Sequence, residues 1–322
     1  MVVGSMPILG VVLALLSAAV LAAGNLWQAR GVQAATANAS GAASMLQLLK
    51  TPIWLAGTAM FGIAILLQMG SLTFAPLILV QPIGVAALVF TALFTAKATG
   101  RRPSRGVITA IIITLIGVSA YVVVASIVSV QKPIGDQQLI EMLSTLAAVL
   151  VASLVLIVVG KKKKRAPILY VVLGGVYSGF VATLGKTVIL RVEAMFKDGH
   201  FHFGSEGWLT LLCLIGIGIA SALSIYFVQF SHTCNSPDVV IAGLTVVDPG
   251  VAVVLGITIL QEAAGAPLWS TFAFIAAGAV AFVGVYRLAK EETKSDAEAT
   301  AAVEDTAESV ATGDPVVSRD EL

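Results

Sequence analysis

Residues Asp238–Leu260 read DVVIAGLTVVDPGVAVVLGITIL. The run is almost wholly apolar, and at about 1.5 Å rise per residue it is long enough to cross a bilayer as a helix. Asp248 falls near its middle, where an ionisable group is expensive and by default a functional-site hypothesis. Pro249 removes a backbone donor and Gly250 loosens the helix. The sequence therefore predicts a helix broken at Pro249, with Asp248 at the break.

The rest of the chain has the same character. Of 322 residues, 58% are hydrophobic and 11% charged, with a mean hydropathy of +0.97. Soluble domains carry roughly 25% charged residues, so the composition describes an all-α polytopic membrane protein. Nine apolar spans are expected: Ile8–Ala29, Ile53–Ser71, Phe74–Ala96, Val107–Val128, Leu139–Gly160, Pro167–Leu190, Trp208–Phe230, Asp238–Leu260 and Leu268–Leu288. The second and third are separated by so few residues that they must form an antiparallel hairpin. The first span lacks a basic n-region and is too long for a signal peptide.

Basic residues set the orientation. Loops after the odd-numbered spans carry fifteen of them, including Arg101, Arg102, Arg105 and the run Lys161–Arg165; the opposite loops carry Lys132, Arg191 and Lys197. The N-terminus is expected outside and the C-terminus in the cytoplasm, most simply of the cell membrane. The basic run reads as a topology anchor against anionic lipid rather than as a nucleic-acid site. From Glu291 onward ten acidic and two basic residues give a net of −8, against +1 for the whole chain. This acidic tail is expected to be disordered. Its last residues, RDEL, and the sequon Asn38-Ala39-Ser40 lie on the cytoplasmic side and read as chance. Cys213 and Cys234, near opposite ends of one helix, are too far apart to pair.

Half the chain length separates a set of matches. At an offset of 161 residues Ser17 meets Ser178, Gly24 meets Gly185, Gly57 meets Gly218, Gln68 meets Gln229, Pro76 meets Pro237 and Gly117 meets Gly278. The register carries the first four spans onto the last four, and each matched pair lies an odd number of spans apart. The two halves would thus run in opposite directions. Inverted repeats of this kind are typical of secondary transporters, whose sites lie at the repeat interface beside discontinuous helices. The expected organisation is residues 1–130 as the first repeat, 131–166 as an unpaired fifth span with its basic loop, 167–290 as the second repeat and 291–322 as the tail. Small residues four apart, Gly10, Ala14, Ala18 and Ala22, then Gly175 and Gly179, then Ala273, Ala277 and Ala281, should let helices approach closely.

The segment Phe74–Phe90, FAPLILVQPIGVAALVF, with the basic loop after it, resembles the NIPA-type magnesium transporters of the drug/metabolite transporter superfamily, with its EamA-like inverted repeats. Gln229, Ser236, Pro249 and Glu262 look like the second-half counterpart, and Gly24 with Arg30-Gly31 and Gly185-Lys186 are also similar. The resemblance implies nine spans and transport of a small solute, a metabolite or drug-like molecule. Its NIPA branch implies magnesium, an ion that wants several hard oxygen ligands, whereas the spans hold few carboxylates: Asp238 at the cytoplasmic edge, Glu141 at the start of the fifth span, and Asp248 alone near the middle of one. A scaffold or lipid-handling protein is the third reading.

Candidate pathway residues follow. Asp248 could bind a cation, a proton or a substrate amine, or cap the second half of a broken helix. Lys186 could snorkel to the outer interface or pair with Asp248, although helical rise separates their depths by about 12 Å. Asn25, its repeat mate, would hold an opposing gate or bond between helices. Gln68 and Gln229 form a matched pair at span ends. Gln81, beside Pro82 and Gly84, could offer a carbonyl to a cation or an amide to a solute. Tyr177 and Tyr226 could line the pathway or bond between helices. His200 and His202 with Asp198 or Glu206 could hold a divalent metal, or belong to a solvated loop. There is no phosphate loop, nucleophile elbow, HExxH or redox CxxC, so neither an enzyme nor a cofactor is expected. Expected partners are the bilayer, a solute or cation and conceivably further copies of the chain, but no nucleic acid.

Overall fold

In hydrocarbon a chain must satisfy its own backbone polar groups, and apolar runs of this length do so as helices. The computed structural model describes residues 6–37, 48–100, 103–132, 134–159, 167–198, 205–235 and 237–312. Its elements are all helices: α1 Pro7–Ala37, α2 Pro52–Phe74, α3 Leu77–Gly84, α4 Ala86–Thr99, α5 Arg105–Val128, α6 Asp136–Val159, α7 Ile168–Asp198, α8 Ser205–His232, α9 Pro237–Thr258 and α10 Leu268–Thr312. Among the described residues nine stretches are long and apolar enough to cross a membrane, with α3 and α4 together forming the third, Leu77–Thr99.

Helix starts follow local chemistry. Pro52 opens α2 behind an extended Thr51, using a position where a missing N–H costs nothing. Ser104 caps α5, its hydroxyl accepting from the Val107 N–H at 3.2 Å.

Helix continuity differs from expectation in two places. α9 runs unbroken through Pro249. The discontinuity lies instead in the third span, at Val85. There the Val85 N–H donates to Pro82 O and the Leu88 N–H to Val85 O, both three residues back rather than four. Pro82 follows only a turn and a half after α3 begins, so that short segment has few internal bonds to carry the chain past a proline. Pro249 has twelve helical residues before it, and one missing bond does not stop the helix. The second difference is in the tail: α10 continues as helix as far as Thr312, and residues 313–322, the rest of that expectation, lie outside the described residues. Its sequence past Glu291 is rich in Ala and Glu, strong helix formers that here extend an existing helix and need no new nucleus.

In the packing, α1 lies on α2 and on α3–α4, α7 lies on α8 and on α9, and α5 lies on α10. The small-residue faces do the work expected of them. Ala14, Ala18 and Ala22 are buried against neighbours. At Gly57 an added Cβ would meet Gly24 O at 2.8 Å, and at Gly24 it would meet Gly57 O at 3.1 Å, so these helices touch backbone to backbone. Buried at the centre are Leu77, Ile78, Leu79, Tyr177, Phe180 and Phe227. Large apolar side chains on every span face outward, as a lipid-facing surface requires.

Candidate functional site

Two polar constellations lie inside the bundle, both anchored on α7. The first is Asp248. Ser178 Oγ donates to its Oδ2 at 2.6 Å, while Oδ1 is buried and has no hydrogen-bond partner. The small face of α7 makes this contact. An added Cβ at Gly175 would meet the Val247 side chain at 2.7 Å, and one at Gly179 would meet Asp248 O at 2.9 Å. Gly175, Ser178 and Gly179 thus share one helix face and bring α9 close enough for a serine to reach the carboxylate. In the first half, Ser17 donates instead to the Ala64 carbonyl at 2.8 Å.

The second constellation is Lys186 with Glu262. Their ion pair is 2.6 Å long and the side chains are 1% and 2% exposed. Lys186 therefore neither snorkels outward nor pairs with Asp248. A buried ammonium needs a counter-charge and further acceptors, and it has both: Glu262 Oε1 and the Ala75 carbonyl at 3.1 Å. Glu262 in turn accepts from the Leu77 N–H at 2.9 Å and the Ile78 N–H at 2.8 Å. These are the first N–H groups of α3, which no helical carbonyl can satisfy. The carboxylate is held by the turn after α9. Gln261 adopts φ 54, Glu262 N–H donates to Gly256 O at 3.0 Å, and Val130 N–H donates to Glu262 O at 2.7 Å. The sequence pointed to Glu262 only through the resemblance; its signal is an acidic residue just beyond a span at the end of the bundle where Lys186 lies.

The remaining candidates disperse. Gln81 is buried in α3, one turn past the Glu262 contact. Gln68 is half-buried on α2, while Asn25 and Gln229 are exposed on α1 and α8; neither joins Asp248. Asn25 is exposed where its register mate Lys186 is buried. Tyr177 is fully buried and shares a hydrogen bond with Ser153, whereas Tyr226 is exposed. His200 and His202 lie outside the described residues. Among the described residues no group of three His, Cys, Asp or Glu side chains comes together. Cys213 is buried, Cys234 is exposed and both are free thiols.

Pro249 and Gly250 sit between two cavities. One, of about 200 Å³, lies between α3, α5, α9 and α10, with Pro82, Tyr121, Thr245, Pro249, Gly250 and Phe282 in its wall. The other, of about 380 Å³, lies between α6, α7 and the opposite side of α9, and shares Gly250. α9 thus turns its carboxylate to α7 and its proline to an open space.

No family model matches the chain, and no solved structure matches it. It is 27% identical over 249 residues, 77% of its length, to an uncharacterized protein of Corynebacterium glutamicum, of which the match covers 83%.

Proposed function

We propose that the chain is a secondary transporter of the drug/metabolite type, moving a small solute by alternating access between two inverted halves, with Asp248 as its binding or protonation point. The observation that carries the reading is the half-satisfied carboxylate. Asp248 lies midway along a spanning helix, with one oxygen on Ser178 and the other buried and unpartnered. A purely structural carboxylate would have both oxygens satisfied. Such a group in a membrane span is a natural point for a cation, a proton or an amine. The helix pairing supports the inverted halves: the first span packs on the second and third, the sixth packs on the seventh and eighth, and the fourth and ninth pack on each other.

The test is flux into proteoliposomes, with labelled amino acids, sugars, organic amines, an uncharged heteroaromatic (indole) and magnesium as the panel. One organic class should enter with the wild type, and Asp248→Asn should slow that entry at least tenfold. Unchanged flux for every substrate removes Asp248 from the mechanism. Magnesium as the sole entrant selects the NIPA-like alternative, and no entrant at all selects the scaffold reading.

Orientation has its own test. With the N-terminus outside, the loop between α8 and α9 faces the cytoplasm of the cell. Cys234 in that loop is exposed and Cys213 is buried, so a membrane-impermeant maleimide reports on Cys234 alone. It should label inverted vesicles and spare intact cells; the opposite pattern reverses the orientation.

A further inference from the structure

We propose that the cavity between α3, α5, α9 and α10 is the substrate site, and that it takes small uncharged apolar molecules carrying one hydrogen-bond donor, admitted from the bilayer beside Gly250 and Gly278. This rests on the transport reading and adds the place and chemistry of the solute.

The wall excludes charge, because among the described residues no Lys, Arg, Asp, Glu or His contributes to it. A charged solute would lose its hydration there with nothing to replace it. Size follows from the volume of about 200 Å³. An apolar cavity of about 150 Å³ is enough for a benzene-sized guest, so this one suits a single bicyclic ring.

The wall has two polar features, the Tyr121 hydroxyl, buried with no hydrogen-bond partner, and a carbonyl freed by Pro249. A helical carbonyl is normally satisfied by the N–H four residues on. Proline at 249 has no N–H, so the Thr245 carbonyl lacks its helical donor. Thr245 and Pro249 both line this cavity. The Thr245 hydroxyl is turned back onto its own helix, donating to Ile241 O at 2.7 Å. The wall therefore offers a guest two polar groups: the Thr245 carbonyl, which only accepts, and the buried, unpartnered Tyr121 hydroxyl, which can accept from the guest's donor or donate to it. In hydrocarbon such an unmatched carbonyl is costly, which favours a guest that satisfies it.

The mouth is defined by two glycines. Gly250 is exposed, and both it and Gly278 line the cavity. An added Cβ at either meets nothing within 4 Å. Phe282, beside them in the wall, is 43% exposed. These positions fall within spans, so the opening faces lipid, where an uncharged apolar solute is already concentrated.

Indole and 1-methylindole form the matched probe pair, alike in shape and differing in one N–H donor. Their binding is measured by equilibrium dialysis against the full-length protein in nanodiscs, with empty nanodiscs subtracted. The wild type should bind indole about fivefold more tightly than 1-methylindole, the effect of one hydrogen bond. Pro249→Ala returns an N–H to the Thr245 carbonyl. It should bring the ratio to about 1 while leaving 1-methylindole binding within about twofold, a pattern that misfolding would not produce. Gly278→Leu should weaken both probes at least tenfold by filling the mouth. Binding of neither probe above empty discs, equal binding of the two by the wild type, a ratio that survives Pro249→Ala, or indifference to Gly278→Leu each overturns the proposal. Dialysis needs no flux. A failed Asp248→Asn experiment therefore leaves this result readable, and failed dialysis leaves the flux result standing.

Discussion

Lys186→Met destabilises the protein by about 3–5 kcal/mol, because it leaves the Glu262 carboxylate buried without its counter-ion. The pair is 1% and 2% exposed, so solvent screens little of the loss. Glu262→Ala is expected to cost more than Lys186→Met. It strands the ammonium and also removes the acceptor of the Leu77 and Ile78 N–H groups, each worth about 1–3 kcal/mol when orphaned in a buried place. The double variant Lys186→Met with Glu262→Gln should be more stable than Lys186→Met alone. It removes both charges and keeps one carbonyl oxygen for the start of α3. Thermal unfolding in detergent, followed by tryptophan fluorescence, gives the order. If Lys186→Met melts with the wild type, the ion pair does not hold the bundle as described.

Gly117→Ala is the second large effect. An added Cβ there would lie 2.6 Å from Ala281 Cα, inside any real contact. The obstacle is backbone, so α5 and α10 must separate. Overpacking of this kind costs about 1–3 kcal/mol. Gly284 sits in the same seam, with Thr114 Cα 2.7 Å from its would-be Cβ. The contrast is Gly278→Ala, in open space, which should stay within about 0.5 kcal/mol of the wild type. Gel-filtration profile and melting temperature compare the two variants directly, and equal behaviour would falsify the seam. Gly117 and Gly278 are mates in the 161-residue register. The same register position is thus closed by backbone at Gly117 and open at Gly278.

The spans and their order were legible, because hydropathy over some twenty residues depends on composition and not on who the neighbours are. The small-residue face of α7 was legible for the same reason: spacing alone puts Gly175 and Gly179 on one side. The break was misread. Proline weakens a helix wherever it stands, but whether the helix stops depends on the bonds available on either side, and Pro82 has fewer than Pro249. Lys186 was seen as a charge in need of company, and its partner was beyond reach of periodicity. Glu262 lies outside any span, and only the turn at Gln261 folds it back beneath α3. Ser178 appeared as a repeat mate, and its role as donor to Asp248 needs the α7–α9 contact that no pattern in one dimension supplies. Asn25 and Gln229 owed their candidacy to the register, and their exposed positions follow from helix faces that polarity alone did not fix.

The contact between Glu262 and the start of α3 sets an order of assembly. During synthesis the third span enters the membrane long before residue 262 leaves the ribosome. Until then the Leu77 and Ile78 N–H groups have no partner from their own half, and when Lys186 follows it too must wait for Glu262. The two halves are therefore not separately finished pieces that dock. The amino-terminal half stays incomplete until the turn after α9 reaches back across it, so its core closes only once most of the second half has been made.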